Sequence, residues 1–335
     1  MRIKRRDFLK LAGTIGAGAV ISIYTSDIQS IFAQVTQGQK HAIWLQGASD
    51  TGCTISLLQG VNPDLVDVIN RFRLSVDFQP NLMISSGDAA IGSLQDAVNG
   101  LTPLDVLIVE GAVPKASYCT VGEIAGTPVP FETWVQKLGA RARHVVAVGT
   151  CAAFGGIPAA VPNPTTCRSV TQVLPYKRVV NIPGCPAHPD WVTLTLASVF
   201  SGTIPRLDEH GRPEAFFDEE VHEECPLKPY YERDLFVSYP SERGKCLYSI
   251  GCRGPETHGD CPTRLWNNRT GFCTAGLWRN GAEVYPAGAP CIGCTEPGFP
   301  DPPFSPFYVR EQEEDEGEEE SSREERTSWS VEEDD

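Results

Sequence analysis

Cysteines at 53, 119, 151, 167, 185, 225, 246, 252, 261, 273, 291 and 294 are the residues through which this 335-residue chain can do chemistry. Thiolates bind soft metal ions, ligate iron-sulfur clusters or pair as disulfides. Cys291 and Cys294 in "CIGC" form a short-loop chelate, and Cys246, Cys252 and Cys261 crowd three further thiols into sixteen residues. His222 in "HEEC" precedes Cys225 at HxxC spacing and can add an imidazole to the donor set. Structural zinc, disulfides in an exported chain and one-electron iron-sulfur centres are the three chemistries such residues serve. Spacing favours clusters, because neither zinc nor disulfides explains thiols carried singly at the ends of successive strands.

Those ends belong to a series of apolar runs: 41–47 (HAIWLQG), 80–85 (PNLMIS), 104–112 (LDVLIVEGA), 144–151 (HVVAVGTC) and 178–185 (RVVNIPGC). Several are apolar without alternation, as expected of strands covered on both faces. Helical patterns lie between them, at 62–72, 88–100, 131–142 and 189–200, with Pro63 and Pro189 at first-turn positions and Gly100 suited to a C-cap. Strands alternating with helices predict an α/β fold with a parallel sheet, which binds ligands outside the carboxyl ends of its strands. Here those ends carry Asp50 and Cys53, the stretch from Glu110 to Cys119, Cys151, and Cys185.

Asp50 is the ambiguous member. In "ASDTGC" it stands where a CxxC motif would have its first thiolate. A carboxylate would keep that corner anionic while exchanging soft sulfur for hard oxygen. Aspartate is equally suited to cap the helix that starts near Cys53. Sequence alone leaves both roles open.

Beyond residue 201 the chain becomes short-patterned and rich in Gly and Pro, with seven of the twelve cysteines and no convincing strand or helix. So little apolar periodicity implies a region held by its cofactors. The two ends differ again. "MRIKRRDFLKLAGTIGAGAVISIY" has a basic start, Arg5-Arg6 and a mild Gly/Ala-rich apolar run, and resembles a twin-arginine export signal ending near Ala33. The formal net charge of −15 is concentrated at the other end: residues 311–335 carry 14 acids and 2 arginines, −12, leaving −3 for the rest. That tail reads as a solvated, disordered segment. No basic stripe interleaved with aromatics suggests nucleic-acid binding, and no later run reaches the ~20 apolar residues of a spanning helix.

Taken in order, "WLQG", "TGCTIS", "VLIVEGAVP", "YC", "AVGTCAAFGGI", "PNPT", "NIPGCPAHPDW", "VHEECPLKPYY", "CLYSIGCRGPETHGDC", "RLWNNRTGFC" and "PCIGCTEPGF" span most of the chain from Trp44 to Phe299. Together they resemble the small subunit of nickel-iron hydrogenases, and the resemblance covers nearly the whole chain from Trp44 to Phe307. The resemblance implies a flavodoxin-like domain at 40–200, an irregular cluster domain at 201–308, a twin-arginine signal at 1–33 and an acidic tail at 309–335. It also implies three iron-sulfur clusters in line, with the nickel-iron site on a separate large subunit.

Carried over by motif, the proximal 4Fe-4S cluster falls to Asp50, Cys53, Cys119 and Cys151. The distal 4Fe-4S cluster falls to His222, Cys225, Cys246 and Cys252. The medial cluster falls to Cys261, Cys291 and Cys294, with Cys273 at the corner where many members have proline; this favours 4Fe-4S over 3Fe-4S. Cys185 and Cys167 are left over, Cys185 in a turn expected not to ligate. Aspartate at the proximal corner resembles the oxygen-tolerant, high-affinity type.

The resemblance further implies an obligate heterodimer, alone or paired, working in the periplasm or at the outer face of the cytoplasmic membrane. Its electrons would pass from H2 oxidation to an acceptor, such as a cytochrome, that the sequence does not identify. Exported members often close with a membrane helix, and the acidic tail stands in that place here. Two alternatives accompany this reading. One is a cluster-bearing subunit related to quinone-reducing complexes, which lack the region at 222–294; the other is an exported zinc or disulfide module.

Overall fold

The computed structural model describes residues 39–60, 64–239, 242, 244–264, 277–280, 283–286 and 290–301. The stretch read as an export signal, Cys273 and the acidic tail lie outside the described residues.

Five parallel strands form the central sheet: β1 (Lys40–Gln46), β2 (Leu74–Phe78), β3 (Val106–Glu110), β6 (His144–Val148) and β7 (Val179–Ile182), in the order β2-β1-β3-β6-β7. The remaining strands, β4 (Thr120–Ile124) with β5 (Thr127–Pro130) and β8 (Leu277–Asn280) with β9 (Glu283–Pro286), make two small hairpins. The order of the main sheet is the doubly wound, flavodoxin-like one, with its topological switch between β1 and β3. The α/β expectation therefore holds.

Alternation along each strand supplies two cores. Ala42, Trp44, Val106, Ile108, Val146, Val148, Val180 and Ile182 point to one face; Ile43, Leu45, Leu107, Val109, Val145, Ala147 and Val179 point to the other. Successive side chains of a strand alternate in direction, so an uninterrupted apolar run serves both faces at once. The first face is covered by helices Gly52–Leu58, Leu65–Phe72 and Pro189–Phe200, the second by Gly87–Asn99 and Phe131–Arg141.

Helix boundaries follow the local signals. Pro189 occupies the first turn of its helix, Gly100 ends another at φ 77, and Asp64 caps a third by accepting from the backbone N–H of Asp67 at 2.7 Å.

The second strand departs from expectation. It is formed by 74–78, and the run at 80–85 is a loop in which Leu82 is 44% and Ile84 101% exposed. β2 lies at the sheet edge and is only half-buried, so its sequence, LSVDF, lacks the continuous apolar signal of its neighbours.

Among the described residues beyond 201 no helix exceeds four residues. This half contributes Phe216, Phe217, Leu247, Ile250, Cys261 and Cys291 to the same core as Trp191 and Leu196 of the Pro189–Phe200 helix. A buried ion pair stiffens the join: Arg212 donates to Asp208 at 2.6 Å and to Glu296 at 2.9 Å, and its guanidinium lies over the Phe217 ring. Among the described residues no helix is long and apolar enough to cross a membrane.

Candidate functional site

Three turns at the carboxyl edge of the sheet meet. β1 runs into the Asp50–Cys53 loop, while β6 and β7 each end three residues before a cysteine, Cys151 and Cys185. Cys151 and Cys185 lie close enough to Cys53 that both raise its pKa, Cys185 also raises that of Cys151, and Asp50 acts on both Cys151 and Cys185. Burial is the larger cause at all three thiols; it lifts Cys151 to about 12 and Cys53 well above the ordinary thiol range.

Glycines keep this space open. A Cβ on Gly149, which sits at φ 85, would stand 2.5 Å from Cys53 Sγ, and one on Gly156 would stand 3.1 Å from Cys151 Sγ. The backbone N–H of Ala187 points at Cys53 Sγ from 3.5 Å. Beneath the loop, Glu110 at the end of β3 is 1% exposed and accepts from Trp44 Nε1, Gln46 Nε2 and both the hydroxyl and backbone N–H of Thr54.

Asp50 contributes a carboxylate whose Oδ1 accepts from the Gly52 N–H at 2.8 Å. The helix cap itself is Thr51, at φ 64, without a side-chain capping bond. Asp50 thus steadies the helix start and at the same time faces Cys151 and Cys185.

Cys119, which the resemblance implied for the proximal set, is not in this group. It packs against the core on the opposite face of the sheet from Cys53, and the thiol that acts on it is Cys167. The reason is distance along the chain. Cys119 follows the end of β3 by nine residues, on a loop tied to the 165–168 segment through Val113 and Lys115, whereas Cys185 sits directly in the turn after β7. Proximity to a strand end was the signal in the sequence that favoured Cys185. Cys167 is fixed elsewhere, with Asn163 bonding both its N–H and its carbonyl.

A second group begins where the first ends. Cys294 is buried, and its sulfur accepts a hydrogen bond from the backbone N–H of Cys185. Cys291 and Cys294 share one short loop, and each thiol is pushed up chiefly by burial, that of Cys294 to about 12. Cys261 is buried in the same core as Cys291, and its segment is fastened to the Cys294 turn by Thr295 Oγ1 donating to the His258 carbonyl at 2.7 Å and by the His258 N–H donating to Glu296 at 2.7 Å. Asp260 receives Trp191 Nε1 at 2.8 Å and is paired with Arg264.

The third group is complete in one place. His222, Cys225, Cys246 and Cys252 line a single small cavity with Val221, Leu227, Tyr248 and Gly254. Burial lowers the pKa of His222, aided by Lys228 and opposed by Glu223, Glu220 and Glu232, so the ring is neutral and ligand-competent near pH 7. Tyr231 sets its edge against the His222 ring, 4.5 Å between centroids.

These donor sets fit iron-sulfur clusters. Buried thiols that resist ionisation are poorly placed unless a cation takes them as thiolates, since a bound metal deprotonates a coordinating thiol outright. Backbone N–H groups aimed at Cys53, Cys252, Cys291 and Cys294 supply the hydrogen bonds that cluster sulfurs use. Among the described residues no disulfide joins the cysteines.

Comparison with known proteins sorts the two halves. A family described as "NADH ubiquinone oxidoreductase, 20 Kd subunit" matches residues 51–199, and the family of the C-terminal part of NiFe/NiFeSe hydrogenase small subunits matches 217–308. The chain is 37% identical over 334 residues to a periplasmic [NiFeSe] hydrogenase small subunit of Desulfomicrobium baculatum, covering 93% of this chain and 100% of that one. It is 32% identical to the hydrogenase-2 small chain of Escherichia coli (strain K12), covering 89% and 77%. Among solved structures, the reduced, active Ni-Fe-Se hydrogenase of Desulfomicrobium baculatum superposes with a TM-score of 0.73 at 36% identity, over 82% of this chain and 100% of that one. The actinobacterial-type NiFe-hydrogenase of Ralstonia eutropha H16 gives 0.71 at 30%, over 81% and 82%.

Proposed function

Because the chain belongs to the family of nickel-iron hydrogenase small subunits, we propose that its three donor groups hold three iron-sulfur clusters in line. The protein is the electron-transfer subunit of a hydrogenase heterodimer, and the site of H2 oxidation lies on the large subunit. The related quinone-reducing complexes account for 51–199 but not for 217–308.

The proximal ligands are Asp50, Cys53, Cys151 and Cys185. The medial ligands are Cys261, Cys291 and Cys294, with Cys273 as the fourth, which makes that cluster 4Fe-4S. The distal ligands are His222, Cys225, Cys246 and Cys252. The observation that carries this reading is the approach of Asp50, Cys53, Cys151 and Cys185 at one edge of the sheet, next to Cys294.

Clusters in these positions supply one-electron carriers whose potentials depend on ligand type, charge, hydrogen bonding and burial. The protein sets those conditions. Gly149 and Gly156 leave room beside two proximal thiols, and Glu110 anchors Thr54, the neighbour of Cys53. Neutral His222 removes one negative charge from the distal donor set, which raises a potential as His ligation does in Rieske centres. Asp50 keeps the proximal corner anionic but hard.

The residues around 1–33 carry the chain through the twin-arginine route to the periplasm or the outer face of the membrane. The domains run over 40–200 and 201–308, followed by the acidic tail at 309–335. The physiological acceptor docks at the distal end.

Purified heterodimer tests the reading. The expected protein is brown, with iron and acid-labile sulfide in amounts matching three clusters and an absorption bleached by dithionite. A colourless, zinc-loaded chain would sink it.

A further inference from the structure

Thr150 stands between two of the thiol groups and touches both. It is 1% exposed, at the start of the short helix Thr150–Phe154, immediately before Cys151. Its backbone N–H donates to the Gly184 carbonyl at 3.1 Å, and its hydroxyl accepts the Gly184 N–H at 2.8 Å, clasping the residue before Cys185 from both sides. The same hydroxyl donates its proton to the carbonyl oxygen of Cys294. The Cys185 N–H in turn reaches the sulfur of Cys294.

A hydroxyl has one proton to give and two lone pairs to accept with. Here the proton goes to the medial segment and a lone pair to the proximal turn. The Cys151, Cys185 and Cys294 segments, from three distant parts of the sequence, are thereby fixed to one buried oxygen. Nothing in the packing demands a hydroxyl at this point, since valine has the same shape. Valine would leave the Gly184 N–H and the Cys294 carbonyl without this partner.

We propose that Thr150 is a positioning residue for electron transfer between the proximal and medial clusters, holding Cys185 and Cys294 in fixed register so that the N–H···S contact between them bridges the two sites. Electron tunnelling falls steeply with separation and with loss of a bonded path. The hydroxyl therefore acts on the rate of passage between the sites rather than on the reaction at the large subunit. This inference rests on the ligand sets proposed above.

The test uses heterodimers carrying Thr150→Val and Thr150→Ser. Iron content, the magnetic interaction between the reduced proximal and medial clusters, and H2-driven dye reduction relative to H2/D+ exchange are measured. The valine variant is expected to retain its iron, to show an altered magnetic interaction and to lose roughly tenfold in the ratio of dye reduction to exchange, the scale typical when an outer hydrogen-bond partner of a metal ligand is removed. The serine variant restores both readouts. An unchanged ratio and interaction in the valine variant overturn the proposal, and so does loss of iron in that variant, which would make Thr150 a requirement for assembly. A Cys185→Ser chain that keeps every cluster signal intact would instead overturn the underlying ligand reading.

Discussion

Thr54 grips both oxygens of Glu110: its hydroxyl donates to Oε2 at 2.5 Å and its backbone N–H to Oε1 at 3.1 Å. Trp44 and Gln46 supply two further donors to Oε2, so a buried carboxylate at the end of β3 is surrounded by groups that only donate to it. Glu110→Gln would turn an –NH2 toward some of these donors and leave them unsatisfied. A loss of roughly 1–3 kcal/mol is expected, read as a lower midpoint in thermal melts of the heterodimer. An unaltered melt would show that the anchor carries no weight.

Cys119 and Cys185 separate the two possible proximal sets. Cys185→Ala is expected to remove or visibly alter one cluster, with less iron per heterodimer. Cys119→Ala should leave iron content and cluster spectra as they are, because its thiol faces Cys167 on the other side of the sheet. The reverse pattern in iron analysis would return Cys119 to the ligand set.

Asp50→Cys replaces oxygen by sulfur at the loop corner without changing the formal charge of an ionised ligand. The proximal cluster should show a shifted potential and a new electron paramagnetic resonance spectrum, while the other two keep theirs. If all three signals stay put, the carboxylate serves only the Gly52 N–H that it already holds.

His144, at the start of β6, has its pKa lowered below 6.5, first by burial and then by Arg143, with Asp105 opposing. The unfolded chain therefore binds more protons than the native one just below pH 6.5, and stability falls as pH drops through this region toward the folded-state pKa. Above about 6.5 the contribution is fully present. His144→Asn should flatten the decline in melting temperature between pH 7 and pH 5. Equal slopes for variant and parent would remove His144 as a source of it.

Much of this architecture was legible because the central strands are buried on both faces. Runs such as VLIVE and HVVAV cannot be anything but interior, and the helix at 189–200 announces itself with a first-turn proline. The edge strand β2 was not legible, because a half-exposed strand needs no continuous apolar run and a nearby loop happened to have one. His222, Cys225, Cys246 and Cys252 lie close together in the sequence, and the family resemblance grouped the same four side chains that line one cavity. Asp50, Cys53, Cys151 and Cys185 come from three turns, and choosing between Cys119 and Cys185 requires knowing where β3 and β7 stop. Asp50 keeps its ambiguity in the folded chain for a chemical reason: one carboxylate has oxygens enough for a backbone N–H and for a metal.

The half beyond residue 201 has no long helix or strand among its described residues, yet its Phe217 and Leu247 share a core with Trp191 and Leu196. Binding of inorganic groups to a cysteine-rich segment contributes folding free energy, so this half is expected to pack less well without its clusters. A chain lacking them would leave the flank of the Pro189–Phe200 helix wet and apolar. The absence of a mineral is thus converted into an oily surface, which any cellular factor that inspects hydrophobic patches can detect without sensing iron at all.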